Sequence, residues 1–371
     1  MGSNTKEEQT RKLMHALFYD IHKTYDENFK LGPISLEKLK KPVFEKRKLK
    51  YRFLGFPINL PFGIPAGPLL NSKFIKGAFD YGFPVVAYKT VRADIFPCHP
   101  YPNVVYVNAP SNLHPQINPR LVTQNINPKN PSKISITNSF GVPSKKASVW
   151  QKDVKKAITY QKKGQLLVLS FMGTVKKNQT QDEFIKDFAI AAKLANQTGV
   201  KVLEANLSCP NIGNEGLVCY NLEATEKICK AIRKAIGKTP LILKVGYYKN
   251  DKDIKKIAWV ANKYADAISS INTLQVEIVD KNGHQALPGP NRLRSGVCGA
   301  PIKWAGLEMV KKLNKVRKDK KYKFEIVGVG GVMTPKDYFE YRKAGTDLVQ
   351  SATGAMWNPY LAYEIWKKYE V

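Results

Sequence analysis

The stretch Val202-Leu203-Glu204-Ala205-Asn206-Leu207-Ser208-Cys209-Pro210-Asn211 decides the fold. Its first five residues read as a short buried strand, and a polar turn follows at once. Next come Leu222, Ile228, Ala231, Ile232 and Ala235, at helical spacing within Leu222–Ile236. A second apolar run, Leu241-Ile242-Leu243-Lys244-Val245, closes a strand–helix–strand unit. Short apolar strands joined by helices are buried on both faces, and so belong to a parallel sheet.

The same unit recurs outward in both directions. Further apolar runs are Phe62–Ala66, Val85–Lys89, Leu166–Ser170, Ala267–Ile271, Glu325–Gly328 and Leu348–Ser351, with another helical pattern over Ile185–Ala195. Eight such runs indicate a closed (β/α)8 TIM barrel rather than an open doubly wound sheet. No G-x-G-x-x-G follows the first run, as a dinucleotide-binding sheet would require. The barrel is expected over residues 51–371, preceded by a helical extension over residues 1–50.

Within that extension Leu13, Leu17, Ile21, Tyr25 and Phe29 recur every four positions, predicting one amphipathic helix from Lys6 to Phe29. Its apolar stripe is expected to pack on the barrel. From Pro97 to Pro143 the chain is rich in Pro and Asn and lacks helical periodicity. This predicts a long loop between the second and third strands, on the catalytic face, with room for a short strand at Ile134–Thr137.

Composition excludes several classes. Among 371 residues, 43% are hydrophobic and 24% charged, which suits a globular core. No apolar run reaches the roughly 18 residues of a membrane span, and no signal-peptide pattern opens the chain. Five cysteines without a C-x-x-C argue against a disulfide framework or a zinc site, so a cytoplasmic location and no metal are expected. The formal charge of +30, from 60 basic and 30 acidic residues, could signal nucleic acid, an anionic surface or small acidic ligands.

In a barrel, chemistry gathers at the C-terminal ends of the strands. Lys89-Thr90, Asn206, Asn272-Thr273, Gly330-Gly331 and Ala352-Thr353-Gly354 all fall there. Lys244 lies inside a strand, where an ammonium needs a partner. Asn206 and Asn272 could instead cap helices, and the glycine pair could be an ordinary turn. Glycines after the seventh strand, with the loop after the eighth, otherwise suit a phosphate. Cys209 stands just past a strand end with no histidine nearby in sequence, which favours a general base over a covalent nucleophile. Cys219 reads as structural, and Cys298 lies in a glycine-rich loop that could touch a ligand.

Together these residues resemble the dihydroorotate dehydrogenase family, most of all its class 1A members. Asn206–Asn211 (NLSCPN) is similar to the active-site loop, Asn138–Pro143 (NSFGVP) to the substrate loop, and VGVGGV with DLVQSATG to the phosphate signature. The resemblance implies an FMN enzyme that oxidises dihydroorotate to orotate in pyrimidine biosynthesis. Cys209 would take the C5 proton while hydride passes from C6 to flavin N5. Lys244 would face the flavin N1/C2 edge, and Lys89 would lie between flavin and substrate, with Thr90 and Asn206 beside the cofactor. Gly330, Gly331, Ala352 and Thr353 would hold the phosphate, and Ala66, Gly67, Ile271 and Gly296 would line the ring and ribityl chain. Asn138, Asn206, Asn211, Asn272 and Thr273 would grip the pyrimidine, and the Ser139, Phe140, Gly141 and Val142 backbone would meet its carboxylate.

The resemblance further implies a homodimer, with neither nucleic acid nor membrane as partner. The alternatives are a reductase of another dihydropyrimidine, similar either to dihydropyrimidine dehydrogenase or to tRNA dihydrouridine synthase. In the second case a G-C-P context and a C-terminal helical domain are expected. Ser208 precedes Cys209 here, and the chain runs only about twenty residues past the eighth strand. On this reading most of the positive charge is surface composition.

Overall fold

The computed structural model describes residues 18–44, 49–124, 130–208 and 217–369. Its strands, in chain order, are β1 (Tyr51–Phe53), β2 (Phe56–Ile58), β3 (Phe62–Ile64), β4 (Val85–Val91), β5 (Val104–Val107) and β6 (Arg120–Gln124). They continue with β7 (Ser135–Asn138), β8 (Leu166–Phe171), β9 (Val202–Asn206), β10 (Leu241–Val245) and β11 (Ala267–Ser270). The last four are β12 (Leu274–Val279), β13 (Arg294–Gly299), β14 (Glu325–Val329) and β15 (Leu348–Gln350).

Eight of them close a parallel barrel in the order β3-β4-β8-β9-β10-β11-β14-β15, as the sequence predicts. The strands β9 and β10 and the helix Leu222–Ile236 fall at their predicted bounds. The other barrel strands differ by a residue or two at their ends, where hydrogen-bonded pairing stops before the apolar run does or outlasts it. The helix expected over Ile185–Ala195 runs over Gln181–Asn196, started four residues earlier by the Thr180–Glu183 capping box.

Side chains from alternate positions fill the barrel. Val85, Ala87, Leu166, Val168, Val202, Ile242, Ala267, Val327 and Leu348 form one buried apolar cluster, stoppered by Phe53 and Ile58 of the β1–β2 hairpin. At Gly63 of β3 an added Cβ would lie 1.8 Å from the Val85 carbonyl oxygen, so glycine alone lets β4 approach this closely. This dry plug puts the polar residues one layer higher, towards the catalytic face.

The region from Pro97 to Pro143 is more ordered than the predicted loop. Apart from one short 3-10 turn at Pro131–Lys133 its described residues are free of helix, and they supply β5, β6 and β7. With β12 and β13 these form a second, five-stranded closed sheet in the order β12-β13-β7-β5-β6. The predicted strand at Ile134–Thr137 is β7, one residue further on. In β12, Leu274, Val276 and Ile278 are buried, with Gln275 exposed and Glu277 partly so, an alternation visible in the sequence.

The single amphipathic helix is corrected. Leu13 and Leu17 lie outside the described residues; among the described ones, residues 18–24 are not helical and a helix runs over Tyr25–Leu31. Thr24 and Glu27 form a reciprocal capping box that starts the helix there. The buried Asn28 amide fixes the preceding turn, accepting from Asp20 N at 2.9 Å and donating to the carbonyls of Asp20, Lys23 and Thr24. Four-residue spacing persists because both turn and helix bury their apolar residues: Phe18 packs edge-on against Tyr81 and Phe83. Among the described residues no helix is long and apolar enough to cross a membrane.

Candidate active site

Polar side chains converge above the barrel plug. In the register of β9 and β10, Lys244 stands opposite Asn206, and on the other flank it stands opposite Ser269 of β11. Lys244 is 6% exposed, and its ammonium reaches Ser269 Oγ only at 3.4 Å, long for a charged donor. Burial pulls its pKa down, opposed by the Glu204 carboxylate on β9. Asn206 Nδ2 donates to Thr90 Oγ1 at 3.3 Å, and Thr90 shares a 3.0 Å hydrogen bond with Ser170 Oγ. Asn206 Oδ1 also accepts from Ser208 N at 3.2 Å, shaping the start of the turn that leads to Cys209.

The loops after β14 and β15 form the opposite wall. Gly330 and Gly331 hold φ values of 122° and 65°, in the region that favours glycine. Tyr341, fully buried, donates from its hydroxyl to the Gly330 carbonyl at 2.6 Å and fixes the turn. A Cβ on Gly331 would lie 2.6 Å from Lys303 Cβ and 2.7 Å from Lys303 N. Ser351, one position beyond β15, donates from its backbone to Gly63 O at 3.0 Å, tying the second glycine-containing loop to β3.

A third wall comes from residues 138–143, held by two buried arginines. Arg292 donates to the Ser139 carbonyl at 2.8 Å, to Pro100 O at 2.9 Å, to Pro102 O at 3.1 Å and to Ser139 Oγ at 3.2 Å. Arg92 holds the far end, donating to Val142 O at 3.0 Å and Gly141 O at 3.2 Å, and to Gly173 O at 2.9 Å. With their carbonyls tied back, Gly141 and Val142 take φ values of 72° and 53°. For the β-branched Val142 this conformation is strained, a feature concentrated at functional sites. The Ser139 N–H is committed to Asn103 O at 2.8 Å.

These walls border a cleft that, counted with the open solvent at its mouth, spans about 880 Å³; from residues 138–143 it is lined by Asn138 and Phe140. Of the residues expected from sequence, Ala66, Gly67, Asn138, Phe140, Lys244, Ile271, Asn272, Thr273, Gly330, Gly331, Ala352 and Thr353 line it, as does Cys298. Others support the walls from behind. Gly296 pairs with Asn138 across β13 and β7, where a Cβ would meet Thr273 Oγ1 at 2.1 Å. Lys89 turns its ammonium to the Pro143 carbonyl and to Thr90 O at 3.1 Å, with the Tyr25 ring at 5.5 Å. Burial, with Arg92 nearby, lowers its pKa to about 7. Cys219 is fully buried and accepts at its carbonyl from Tyr248 Oη at 2.7 Å, the structural role expected of it. Cys209 and Asn211 lie outside the described residues.

Sequence reasoning did not single out Tyr19, Gln350, Arg92, Arg292 or Glu204. Tyr19 and Gln350 line the cleft, and Gln350 Oε1 is buried with no hydrogen-bond partner. Glu204 offered the same signal as Lys244, a charge inside a buried strand. Arginines among polar neighbours offer no such signal.

The cleft fits a flavin mononucleotide. Ala66, Ile271 and Val329 supply apolar walls for a flat ring, Lys244 an ammonium in need of a partner, Gln350 an orphaned acceptor, and the glycine loops a cradle that side chains would fill. Fold and site thus define a (β/α)8 oxidoreductase of the FMN type. The sequence profile described as dihydroorotate dehydrogenase matches residues 115–370. The dihydroorotate dehydrogenase of Dictyostelium discoideum is 35% identical over 363 residues, covering 93% of this chain and 95% of that protein. The catalytic subunit of dihydroorotate dehydrogenase B (NAD(+)) from Brachyspira hyodysenteriae is 34% identical over 189 residues, 50% of this chain and 58% of the subunit. Its Caldicellulosiruptor saccharolyticus counterpart is 33% identical over 188 residues, again 50% and 58%. The chain belongs to the dihydroorotate dehydrogenase family, FMN-dependent enzymes of pyrimidine biosynthesis.

Proposed function

We propose that this chain oxidises dihydroorotate to orotate at the cleft between Lys244, the 138–143 loop and the two glycine loops. The observation that carries the reading is the meeting of a buried ammonium, Lys244, with the amides Asn138 and Asn272 in one cleft. Amides present both donor and acceptor, the pairing needed by a ring of alternating C=O and N–H groups. Bound FMN supplies the acceptor for the two electrons leaving the substrate.

The chain's own residues do the rest. Backbone N–H groups of Phe140, Gly141 and Val142 receive the substrate carboxylate, and Asn138, Asn206, Asn211, Asn272 and Thr273 orient the ring. Cys209 removes the C5 proton. Lys244 presents positive charge where negative charge accumulates during the reaction, the preorganised electrostatics that lower a barrier most. Gly330, Gly331, Ala352 and Thr353 hold the cofactor phosphate, with Ala66, Gly67, Ile271 and Gly296 along its ring and ribityl chain. Lys89 and Thr90 brace the floor between the two ligands. The working unit is a cytoplasmic homodimer, with residues 1–50 as an extension of the barrel of residues 51–371.

Anaerobic titration of the purified yellow protein tests this. Dihydroorotate should bleach the flavin absorbance in a single turnover. Bleaching by NADPH and not by dihydroorotate would overturn it. In the same assay, Cys209→Ser should keep FMN and slow bleaching severely near neutral pH, because a hydroxyl is a far poorer base than a thiol.

A further inference from the structure

We propose that Glu204, inside the barrel beneath the cleft, is a positioning residue that keeps Lys244 protonated and so sets the charge presented to the cofactor. This rests on the functional reading above and adds to it a residue that touches neither ligand. Glu204 is 1% exposed; the Ser170 hydroxyl is its only hydrogen-bonding neighbour among the described residues, and not at full hydrogen-bond geometry. It stands opposite Ser170 of β8 on one flank and Ile242 of β10 on the other, two residues below Asn206 on its own strand. Lys244 is therefore one layer above it on the neighbouring strand. Beneath lies the apolar plug of Val168, Val202, Ile242 and Ala267, which offers no solvation.

A carboxylate placed there for packing alone would be a poor choice, since an apolar side chain of similar volume is cheaper to bury. What distinguishes the place is its one charged neighbour. Lys244 is the charge that acts on Glu204, and Glu204 the charge that acts on Lys244. Among the described residues, the elements packed around the pair add hydroxyls and amides, Ser170 of β8, Thr90 of β4, Ser269 of β11, Gln350 of β15 and Asn206 of β9 itself. The other lysine of this layer, Lys89, is committed to the Pro143 and Thr90 carbonyls. Burial drives both members of the pair towards their neutral forms, and each opposes that drift in the other. Removing the carboxylate leaves Lys244 to lose its proton.

The test is FMN affinity of the full-length chain between pH 6 and pH 9, with melting temperatures, for wild type, Glu204→Gln, Lys244→Met and the double variant. Glu204→Gln should weaken FMN binding about tenfold at pH 8, and by less as the pH falls and protonation of Lys244 is favoured. The double variant should bind no worse than Lys244→Met, and the two melting losses should not add. A Glu204→Gln protein with wild-type affinity at every pH, or two strictly additive losses, would overturn the pairing. If Glu204→Gln does not fold, a folded double variant supports the pair and an unfolded one refutes it. Failure of wild type to bind FMN at any pH would sink the functional reading instead, while the melting cycle still judges the pair.

Discussion

Arg292 Nη2 donates to the carbonyl of Ser139 at 2.8 Å, from a side chain that is 1% exposed. Among the described residues its partners include no carboxylate; they are the carbonyls of Pro100, Pro102, Pro288 and Ser139 and the Ser139 hydroxyl. A guanidinium satisfied by carbonyls from three segments fixes those segments to one another. Arg92 does the same at the other end of the loop. The loop's conformation is thus imposed from behind, before any ligand arrives.

Arg292→Met should therefore act on substrate more than on cofactor. Loss of the guanidinium strands several buried carbonyls, each costing about 1–3 kcal/mol, so melting should fall by several degrees. KM for dihydroorotate should rise about tenfold or more, with FMN content unchanged, because the glycine loops are untouched. Steady-state kinetics beside the flavin-to-protein absorbance ratio would read both. Equal loss of FMN and of substrate affinity would show that the loop and the cofactor wall are not separate.

Gly331→Ala should do the reverse. A methyl group there faces Lys303 Cβ at 2.6 Å and Lys303 N at 2.7 Å, at a φ of +65°. Backbone cannot swing aside as a side chain can, so the turn after β14 must open. FMN retention through gel filtration should drop by about tenfold or more, on the scale of 1–3 kcal/mol for such backbone strain. Global melting of the apo chain should change far less.

The eight-fold repeat of strand and helix was legible because burial on both faces leaves continuous apolar runs, as in Leu241–Val245. The cleft was legible through backbone constraints and misplaced charge, seen at Gly330, Gly331 and Lys244. Arg292 was hidden, since its role depends on Ser139 and Pro100, 153 and 192 positions away. The break before Tyr25 was hidden too, although its signal, Thr24-x-x-Glu27, is local. There a regular four-residue spacing outweighed a capping box that marks a helix start. In the second sheet, β12 alternates as a half-buried strand should, but a run of six residues outside the helix-linked repeat carries a weak signal.

Lys89 should leave a pH signature. Its folded pKa is near 7 against 10.5 unfolded, lowered by burial first and by Arg92 second. Between those values the unfolded chain binds the proton and the folded chain does not, so stability contributed at this site rises with pH across the window. Below pH 7 both states are protonated and the burial cost is at its fullest. Lys89→Met removes the titration. The variant's melting temperature, measured relative to wild type, should thus be most favourable at pH 6 and decline steadily towards pH 10. A pH-independent difference would mean that Lys89 keeps its proton throughout.

Gly141→Ala separates two effects on the substrate loop. At a φ of +72° any L-residue costs about 1–2 kcal/mol. The new Cβ would also lie 2.5 Å from His99 Nε2, and His99 is itself tethered through Nδ1 to Ser139 Oγ at 3.2 Å. KM for dihydroorotate should rise while FMN binding holds, since no contact of Gly141 reaches the glycine loops. Adding His99→Ala removes the clash but leaves the backbone penalty. The double variant should recover part of the lost affinity and stop short of wild type. Full recovery would assign the whole effect to the histidine, and no recovery would assign it to the left-handed turn alone.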